Sequence, residues 1–441
     1  MKKIIRKNNA PEHLDKTNHV EKLINFLGLK NEHVFGLHEA SRKIVYHKEN
    51  FSAFLEGRDE DITPVCVELV PSILCNFNCP SCTYRQNGSK YFAKEHLVNG
   101  GIMSEPTFDS IASDLARLNV KSVIITGGGE PSMNPNYLNF MKKLKQGHFD
   151  LGLYSNAGLI GKDIESILET RPRFIRLSMN AGDAKTHRTM YRTKDMFQKV
   201  VHNVINAGKI KSNMSNCETT LGVGFIMGSR NSSDSQLDSI AQTLKILASE
   251  SNGGINYAAF RPEVQYFTTN LKTKKFEVCK DQPNLESFKN MFERLEERVK
   301  KPLEGSGMKI LITKVGFEQL SQLYKDGKNL AAPWSISLNY DGLPHLLSEA
   351  NGNPDYCFAS RKDERLYDSW HSLKKKQMFA NLASSPSDSN HIPILANYKL
   401  TTTSNLLKEI RETFGILTKN QVENFYRYLD LSRPIEHVNF I

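Results

Sequence analysis

The chain contains 441 residues, of which 39% are hydrophobic and 24% are charged, a composition typical of globular proteins and unlike disordered, collagen-like or membrane-embedded chains. The formal net charge is +10, but the basic residues are dispersed among 48 acidic ones, so we expect a solvated surface, and a nucleic-acid partner is disfavoured. No signal sequence is recognisable, and no apolar stretch approaches the ~18 residues of a bilayer span, which predicts a cytoplasmic protein without a membrane partner.

The hydrophobic pattern divides the first 265 residues into two predicted segments. Residues 1–60 form an N-terminal segment with one helical pattern near residues 20–27. In residues 61–265, buried β-branched runs alternate with amphipathic helices, the order that parallel βαβ units produce. The predicted strands are 65–69, 120–126, 151–155, 174–179, 220–227 and 255–260. Six units are too few for a closed eight-unit barrel, so the predicted fold is α/β, a partial (β/α)6 barrel.

After residue 265 the alternation ends, and two further segments are predicted. Residues 266–382 form a small α+β C-terminal extension, with a charged amphipathic helix at 285–299 and strand patterns at 308–312 and 335–347. Residues 383–441 comprise a linker and a helical tail. The linker is the stretch rich in Ser, Pro and Asp at 383–390, and two short helices are predicted near 406–414 and 421–429.

Three thiols lie within one predicted loop after the first barrel strand, in the sequence CNFNCPSC at residues 75–82. Soft thiolates select zinc, copper or iron–sulfur clusters. A structural zinc site usually draws its remaining ligands from a second nearby pair, and no such pair follows. Three ligands to a cubane leave one iron open to a cosubstrate. We therefore predict a [4Fe-4S] cluster at Cys75, Cys79 and Cys82, with a zinc site as the alternative.

This C-x3-C-x2-C loop resembles that of the radical S-adenosylmethionine (radical SAM) superfamily, and the resemblance continues along the chain. The segment 128–131, GGEP, follows the second predicted strand as the family's GGEP motif does. The segment 224–228, GFIMG, is similar to the family's G-x-I-x-G element. One position departs from the family: Ser81 stands where relatives usually carry an aromatic residue, so either Phe77 or Tyr84 is the candidate to cover the adenine.

The resemblance implies which residues bind SAM. In relatives, the GGEP motif contacts the SAM amino group, polar residues closing the fourth strand contact the ribose, and the G-x-I-x-G element lies beside the adenine. An arginine serves the SAM carboxylate, and Arg188 and Arg261 compete with Arg192 for that role. Asn156 either faces the active site or bonds its own turn. The implied cofactor-binding residues are Gly128, Gly129, Glu130, Pro131, Asn156, Ser178, Asn180, Arg192 and Ile226.

The C-terminal extension is similar in outline to the family's SPASM or twitch domain, which carries additional clusters. The similarity lies in residues 334–347 and in Cys357. The ligands for a further cluster are missing, because only Cys279, Cys357 and His345 remain, and they are scattered. We therefore expect the cysteines outside the motif, which are Cys66, Cys217, Cys279 and Cys357, to be structural.

The function implied by the resemblance is that of an enzyme. It would use the cluster to cleave SAM reductively to a 5′-deoxyadenosyl radical, which abstracts hydrogen from a substrate, with flavodoxin or ferredoxin as the type of electron donor. The lack of auxiliary-cluster cysteines favours a small-molecule substrate such as a sugar, aminocyclitol or nucleoside. Two alternatives stay open: a maturase that modifies a peptide or protein side chain, and an RNA-modifying or binding protein on the same scaffold.

Overall fold

A computed structural model describes most of the chain. The described residues are 16–29, 40–82, 84, 98–263, 267–269, 276–278, 285–312, 329–346, 351–360, 364–384, 398–429 and 437–441. Cys279 and most of the predicted linker 383–390 lie outside them. In this part of the chain, no helix is both long enough and apolar enough to cross a bilayer.

A nine-stranded sheet organises the described residues. All its neighbouring strands are parallel except the two that come last in the chain, which are antiparallel. Its strand order is β11-β10-β1-β2-β3-β4-β5-β6-β9, and β7 and β8 form a separate antiparallel pair. The strands are β1 (Cys66–Leu69), β2 (Ser122–Ile125), β3 (Asp150–Ser155), β4 (Phe174–Ser178), β5 (Thr220–Met227), β6 (Tyr257–Pro262), β7 (Phe267–Thr269), β8 (Phe276–Val278), β9 (Lys309–Ile312), β10 (Ser335–Leu338) and β11 (Pro344–His345).

The predicted α/β class is confirmed, because β1 to β6 correspond to the six predicted strands and the sheet is open and mostly parallel. Three strands described in the predicted extension, β9, β10 and β11, join the same sheet: β9 pairs with β6 at one edge, and β10 pairs with β1 at the other. Pairing in this way satisfies the backbone groups that the edges of a six-stranded sheet would expose. The four-segment division of the chain stays a prediction.

Helices connect the strands, and several begin at side-chain caps that the sequence encodes. Ser104 and Asp183 accept hydrogen bonds from backbone N–H groups of the first turn, and Ser233 and Thr418 form capping boxes. The α-helices are Lys16–Phe26, Ala40–Lys43, Lys48–Leu55, Glu105–Arg117, Tyr137–Gln146, Ile164–Glu169, Ala184–Tyr191, Phe197–Asn213, Asp234–Glu250, Leu285–Leu295, Leu366–Trp370, Leu373–Ser384, Tyr398–Phe414 and Lys419–Arg427.

The two faces of the parallel strands differ, as the period-2 geometry of a strand requires. One face carries fully buried apolar residues such as Leu153, Leu177 and Phe225, which form the core. The other face, which we call the inner face, carries the alternate positions and includes Tyr154, Arg176 and Ser178, all half-buried. Polar side chains are thus retained on the inner face of a sheet whose other face is apolar.

The segment 437–441 covers the inner face where β2, β3 and β4 begin. Phe440 packs edge-to-face on Phe174, with ring centroids 4.9 Å apart. Asn439 donates from Nδ2 to Asp150 Oδ2 at 2.7 Å, and its carbonyl oxygen accepts a hydrogen bond from Ser122 Oγ. These contacts close the amino-terminal end of the inner face, so a ligand would approach from the carboxyl ends of the strands.

We expect Phe440→Ala to lower the free energy of unfolding by about 3 kcal/mol, because a buried aromatic ring is replaced by a cavity. Phe440 is 5% exposed, whereas Leu373, the matched control, is 76% exposed. Leu373→Ala should therefore change stability by less than about 0.5 kcal/mol. Urea unfolding of both variants measures the difference. Equal effects of the two substitutions would show that the segment does not hold the inner face closed.

Candidate functional site

The predicted cluster cysteines lie on one loop that leaves the carboxyl end of β1. Cys75, Cys79 and Cys82 are all half-buried and unbonded to other cysteines. Phe77 fixes this loop from below: its ring is 2% exposed and packs against Tyr191 with centroids 4.8 Å apart. Asn78 adds a backbone hydrogen bond to the carbonyl oxygen of Tyr191 at 2.9 Å. The loop is therefore held by its apolar residue, which leaves the thiols at the surface of the site.

Phe77 and Tyr84, the two candidates for the adenine contact, have different surroundings. Phe77 is occupied as a buried anchor, in contact with both His187 and Tyr191. The ring of Tyr84 lies beside the GGEP turn, since a Cβ added at Gly128 would be 2.9 Å from Tyr84 Cε1. Of the two, Tyr84 is the one whose ring borders the proposed SAM site.

The GGEP turn after β2 is joined to the cysteine loop by backbone hydrogen bonds. Gly129 N donates to Ser72 O at 3.0 Å, and Glu130 N donates to Leu74 O at 2.7 Å. A Cβ built at Gly129 would lie 2.0 Å from Leu74 O, which is far inside van der Waals contact. Only glycine permits this approach, and the approach brings the two motifs together next to Cys75.

Glu130 is a buried carboxylate, only 2% exposed. Its Oε1 accepts hydrogen bonds from Ser132 Oγ at 2.9 Å and Ser155 Oγ at 2.8 Å, and its Oε2 accepts one from Asn156 N at 2.8 Å. Burial raises the pKa of the carboxyl above its ordinary range, and these hydrogen bonds oppose the shift only in part. No basic side chain of the described residues forms an ion pair with it. A ligand cation would supply the missing charge.

Asn156, which directly follows β3, closes its own turn and also contacts the cysteine loop. Its Oδ1 accepts a hydrogen bond from Gly158 N at 2.8 Å, which closes the turn. Its Nδ2 donates to Asn76 Oδ1 at 2.8 Å and lies 3.7 Å from Cys75 Sγ. Asn156 therefore links the cysteine loop to the Glu130 carboxylate.

The structure brings Asn180 and Ile226 together at the ends of β4 and β5. Asn180 has a positive φ of 51°, and its Oδ1 accepts a hydrogen bond from Ile226 N at 2.7 Å. Ser178 is the last residue of β4 and lies opposite Gly224 of β5. The side-chain oxygen of Asn180 thus joins the two strands.

The candidate arginines differ in their partners. Arg188 is exposed and forms an ion pair with Asp195 at 2.9 Å. Arg192 is exposed too, with a left-handed φ of 44° at the end of the helix Ala184–Tyr191. Its neighbour Tyr191 contacts the cysteine loop, so Arg192 leaves the helix next to that loop. Arg261 lies on β6, further from the cysteines in strand order.

Sequence reasoning missed three residues around this site. Ser155 holds Glu130, as described above. Tyr191 is buried with its hydroxyl lacking a hydrogen-bond partner among the described residues. Burial, followed by the charges of Cys79 and Cys75, raises the pKa of Tyr191. The His187 ring packs at a tilt against the Tyr191 ring, with centroids 4.5 Å apart, and burial lowers the pKa of His187 to about 4. An aromatic residue in a helix carries no sequence signal for such placement.

His345 and Cys357 lie close together, at an isolated β-bridge in the extension. Both imidazole nitrogens of His345 are used: Nδ1 bonds Leu343 O at 3.0 Å and Nε2 accepts from Gly352 N at 3.1 Å. Burial raises the pKa of the Cys357 thiol, which keeps it protonated. These two residues have the surroundings of structural side chains.

The comparisons with known proteins identify the family of this fold and site. Residues 69–244 match the family model described as the radical SAM superfamily. The chain therefore contains a radical SAM domain. Enzymes with this domain use a [4Fe-4S] cluster and SAM, and the chain is accordingly a radical SAM enzyme. The matched residues include all three motif cysteines, the GGEP turn and the strands β2 to β5. No curated protein matches the chain by sequence.

Solved structures of radical SAM enzymes share the fold over most of the chain. Streptococcus suis SuiB bound to S-adenosylmethionine is 12% identical, with a TM-score of 0.54, covering 92% of this chain and 88% of that one. SuiB bound to its precursor peptide SuiA is 13% identical with the same TM-score and coverage. A histidine-tagged form of anSMEcpe with bound AdoMet is 12% identical, with a TM-score of 0.51, covering 79% of this chain and 99% of that one.

Proposed function

We propose that Cys75, Cys79 and Cys82 hold the [4Fe-4S] cluster of this radical SAM enzyme and that SAM binds beside them, over the GGEP turn. The observation that carries the proposal is the Glu130 carboxylate. It is buried, without a basic partner among the described residues, and tied through Asn156 to Cys75. An ammonium group placed next to it would gain a charge-assisted hydrogen bond and would offset the cost of burying the charge.

The residues present fit the cofactors. Three thiols lie on one loop, and Gly128 and Gly129 keep the adjacent backbone free of side chains. The reduced cluster, when bound, supplies the electron that cleaves SAM to a 5′-deoxyadenosyl radical able to take a hydrogen atom from the substrate. The chain's own part is to orient SAM through Glu130, Ser178, Asn180 and Ile226, and to hold the substrate on the inner face.

We infer a small-molecule substrate, with a sugar, aminocyclitol or nucleoside as the type, and a flavodoxin or ferredoxin as the reductant in the cytoplasm. The polar inner face, closed at one end by the segment 437–441, supports a compact ligand. A peptide substrate is the second candidate, because SuiB, which shares the fold, was crystallised bound to its precursor peptide SuiA.

Anaerobic incubation of the reconstituted enzyme with SAM, dithionite and deuterated candidate substrates tests this proposal. Mass spectrometry should find deuterium in 5′-deoxyadenosine when the labelled compound is the substrate. Transfer from a labelled peptide with none from small molecules would replace the substrate assignment by the second candidate. Absence of any 5′-deoxyadenosine under reducing conditions would contradict the reaction itself.

Glu130→Gln should weaken SAM binding about ten- to a hundred-fold, because it keeps the shape but removes a charge-assisted hydrogen bond worth about 1.5–3 kcal/mol. The amide oxygen can still accept from Asn156 N, so the turn should persist. Titration of SAM into the reduced protein, followed by the cluster's spectral change, gives the dissociation constant. An unchanged constant would remove Glu130 from the site.

Stability provides the control for this variant. Burial raises the pKa of Glu130 above 4.5, so the folded chain binds more protons than the unfolded chain between the ordinary pKa and the raised one. The stability of the wild type therefore falls as pH rises through that interval, and Gln abolishes the fall. Urea unfolding at increasing pH should show Glu130→Gln gaining stability relative to the wild type. A loss at every pH would mean that binding fell through unfolding.

A further inference from the structure

One row of side chains crosses the inner face below the proposed SAM site. Tyr154 of β3 is in register with Arg176 of β4, Arg176 with Gly222 of β5, and Gly222 with Tyr257 of β6. Side chains in register on parallel strands project from the same face. Two tyrosines and an arginine therefore lie side by side on this face, and we call these three residues the platform.

Glycines of β5 make room for the platform. A Cβ at Gly222 would lie 2.4 Å from Tyr257 Cε1, and one at Gly224 would lie 3.1 Å from Arg176 Cδ. The phenol ring and the arginine stem thus lie over bare backbone. A larger residue at either position would displace these side chains away from the sheet. The two glycines therefore allow the platform to pack close to the β5 backbone.

The flat face of the Arg176 guanidinium packs against the ring of Tyr154. Its Cζ lies 3.7 Å from the centroid of the Tyr154 ring, a cation–π stack. Stacking leaves the N–H donors at the edge of the plane available, and their fork geometry matches a carboxylate or phosphate. Tyr257 is 6% exposed, and burial raises the pKa of its hydroxyl, which keeps it a neutral donor.

The charge of Arg176 has no protein counterpart in the described part of the chain. Arg176 forms no ion pair or hydrogen bond with another described residue, and neither phenol hydroxyl of the platform forms a hydrogen bond there. The side chain is nevertheless half-buried between strands. Holding a cation in that position is costly unless a ligand supplies an anion.

The platform's position separates it from the proposed SAM site. Ser178 and Gly224, two residues further along β4 and β5, form the next row toward the carboxyl ends of the strands. On the other side, Phe174 and Phe440 close the inner face. The platform therefore lies further from the carboxyl ends of the strands than the residues proposed to contact SAM. A substrate bound there would lie beneath SAM.

We propose that Tyr154, Arg176 and Tyr257 bind an oxyanion of the substrate, a carboxylate or a phosphate. This inference rests on the proposed function for the identity of the ligand as substrate, because the platform shares the inner face with the SAM site. Arg176 supplies the positive charge and paired N–H donors, Tyr154 fixes the plane of the guanidinium, and Tyr257 adds a neutral hydrogen-bond donor. All three act as binding residues.

Chemical footprinting of arginines tests the proposal without a known substrate. The reconstituted enzyme with SAM is treated with phenylglyoxal in the presence of inorganic phosphate, acetate or chloride at equal ionic strength, and each modified arginine is quantified by peptide mass spectrometry. Phosphate or acetate should slow the labelling of Arg176 relative to chloride and leave Arg188, an exposed arginine on the same chain, unaffected. Protection by phosphate alone indicates a phosphorylated substrate, and protection by acetate indicates a carboxylate.

Variants complete the test. Tyr257→Phe should weaken the anion's protection of Arg176, and Arg176→Lys should leave the SAM dissociation constant within about twofold of the wild type, since Arg176 is not among the residues proposed to bind SAM. Equal protection of Arg176 and Arg188, or no protection by either anion, would overturn the platform. A large loss of SAM affinity in Arg176→Lys would also overturn it, by assigning the arginine to SAM. A protein that fails to bind iron but still shows the footprint would refute the proposed function and leave the oxyanion site standing.

Discussion

Alanine at Cys75, Cys79 or Cys82 is expected to abolish the cluster in each single variant. The three thiols are the only cysteines of this loop, and each would ligate a different iron. Loss of one thiolate would leave two irons of the cubane without protein ligands. Iron and sulfide content after anaerobic reconstitution, together with the electron paramagnetic spectrum of the reduced protein, measures the loss.

The remaining cysteines provide the matched control. Cys66 is 1% exposed at the start of β1, and Cys357 is 7% exposed in the extension. Changing Cys66, Cys217, Cys279 and Cys357 together to Ser or Ala should leave the iron content at about four per chain, although stability should fall. An iron content near eight in the wild type that drops to about four in a Cys279/Cys357 double variant would reveal a second cluster.

Gly129→Ala is expected to abolish SAM binding and to reduce cluster retention. The added Cβ would lie 2.0 Å from Leu74 O and 2.5 Å from Ile73 C, and both are backbone atoms of the cysteine loop. Backbone cannot rotate away as a side chain can, so the loop and the GGEP turn must separate. SAM titration and iron content report the effect, and far-ultraviolet circular dichroism shows whether the barrel is retained.

Gly128→Ala is the comparison for this variant. Its Cβ would meet the ring edge of Tyr84 at 2.9 Å, and a ring can swing aside at lower cost. We therefore expect SAM binding to weaken in Gly128→Ala but to remain measurable. If Gly129→Ala bound SAM as well as Gly128→Ala, the backbone approach between the two motifs would not be what positions the cofactor.

The barrel strands were predictable because their signal is local. The runs that became β2 and β5 are dense in β-branched and apolar residues and end at glycines, so their burial follows from composition. The pairing of β10 with β1 was not predictable, since about 270 residues separate the partners and nothing in either segment marks the other, as Glu68 and Ser337 illustrate. The helix Ala184–Tyr191 was missed because its apolar residues are few and its exposed face is basic.

The candidate site was predictable in outline and not in detail. The motifs located Cys75 and Glu130 at the ends of β1 and β2, where a parallel sheet brings loops together. The sequence did not indicate that Phe77 anchors the loop or that the Asn180 oxygen is used by Ile226 N. Such details depend on which partner a side chain meets in three dimensions.

The most direct test of the proposed cluster is the metal content of the wild-type protein after anaerobic reconstitution with iron and sulfide. We expect about four irons per chain, the electron paramagnetic signal of a single reduced [4Fe-4S] cluster, and a change in that signal when SAM is added. One tightly bound zinc with tetrahedral sulfur ligation, and no response to SAM, would contradict it.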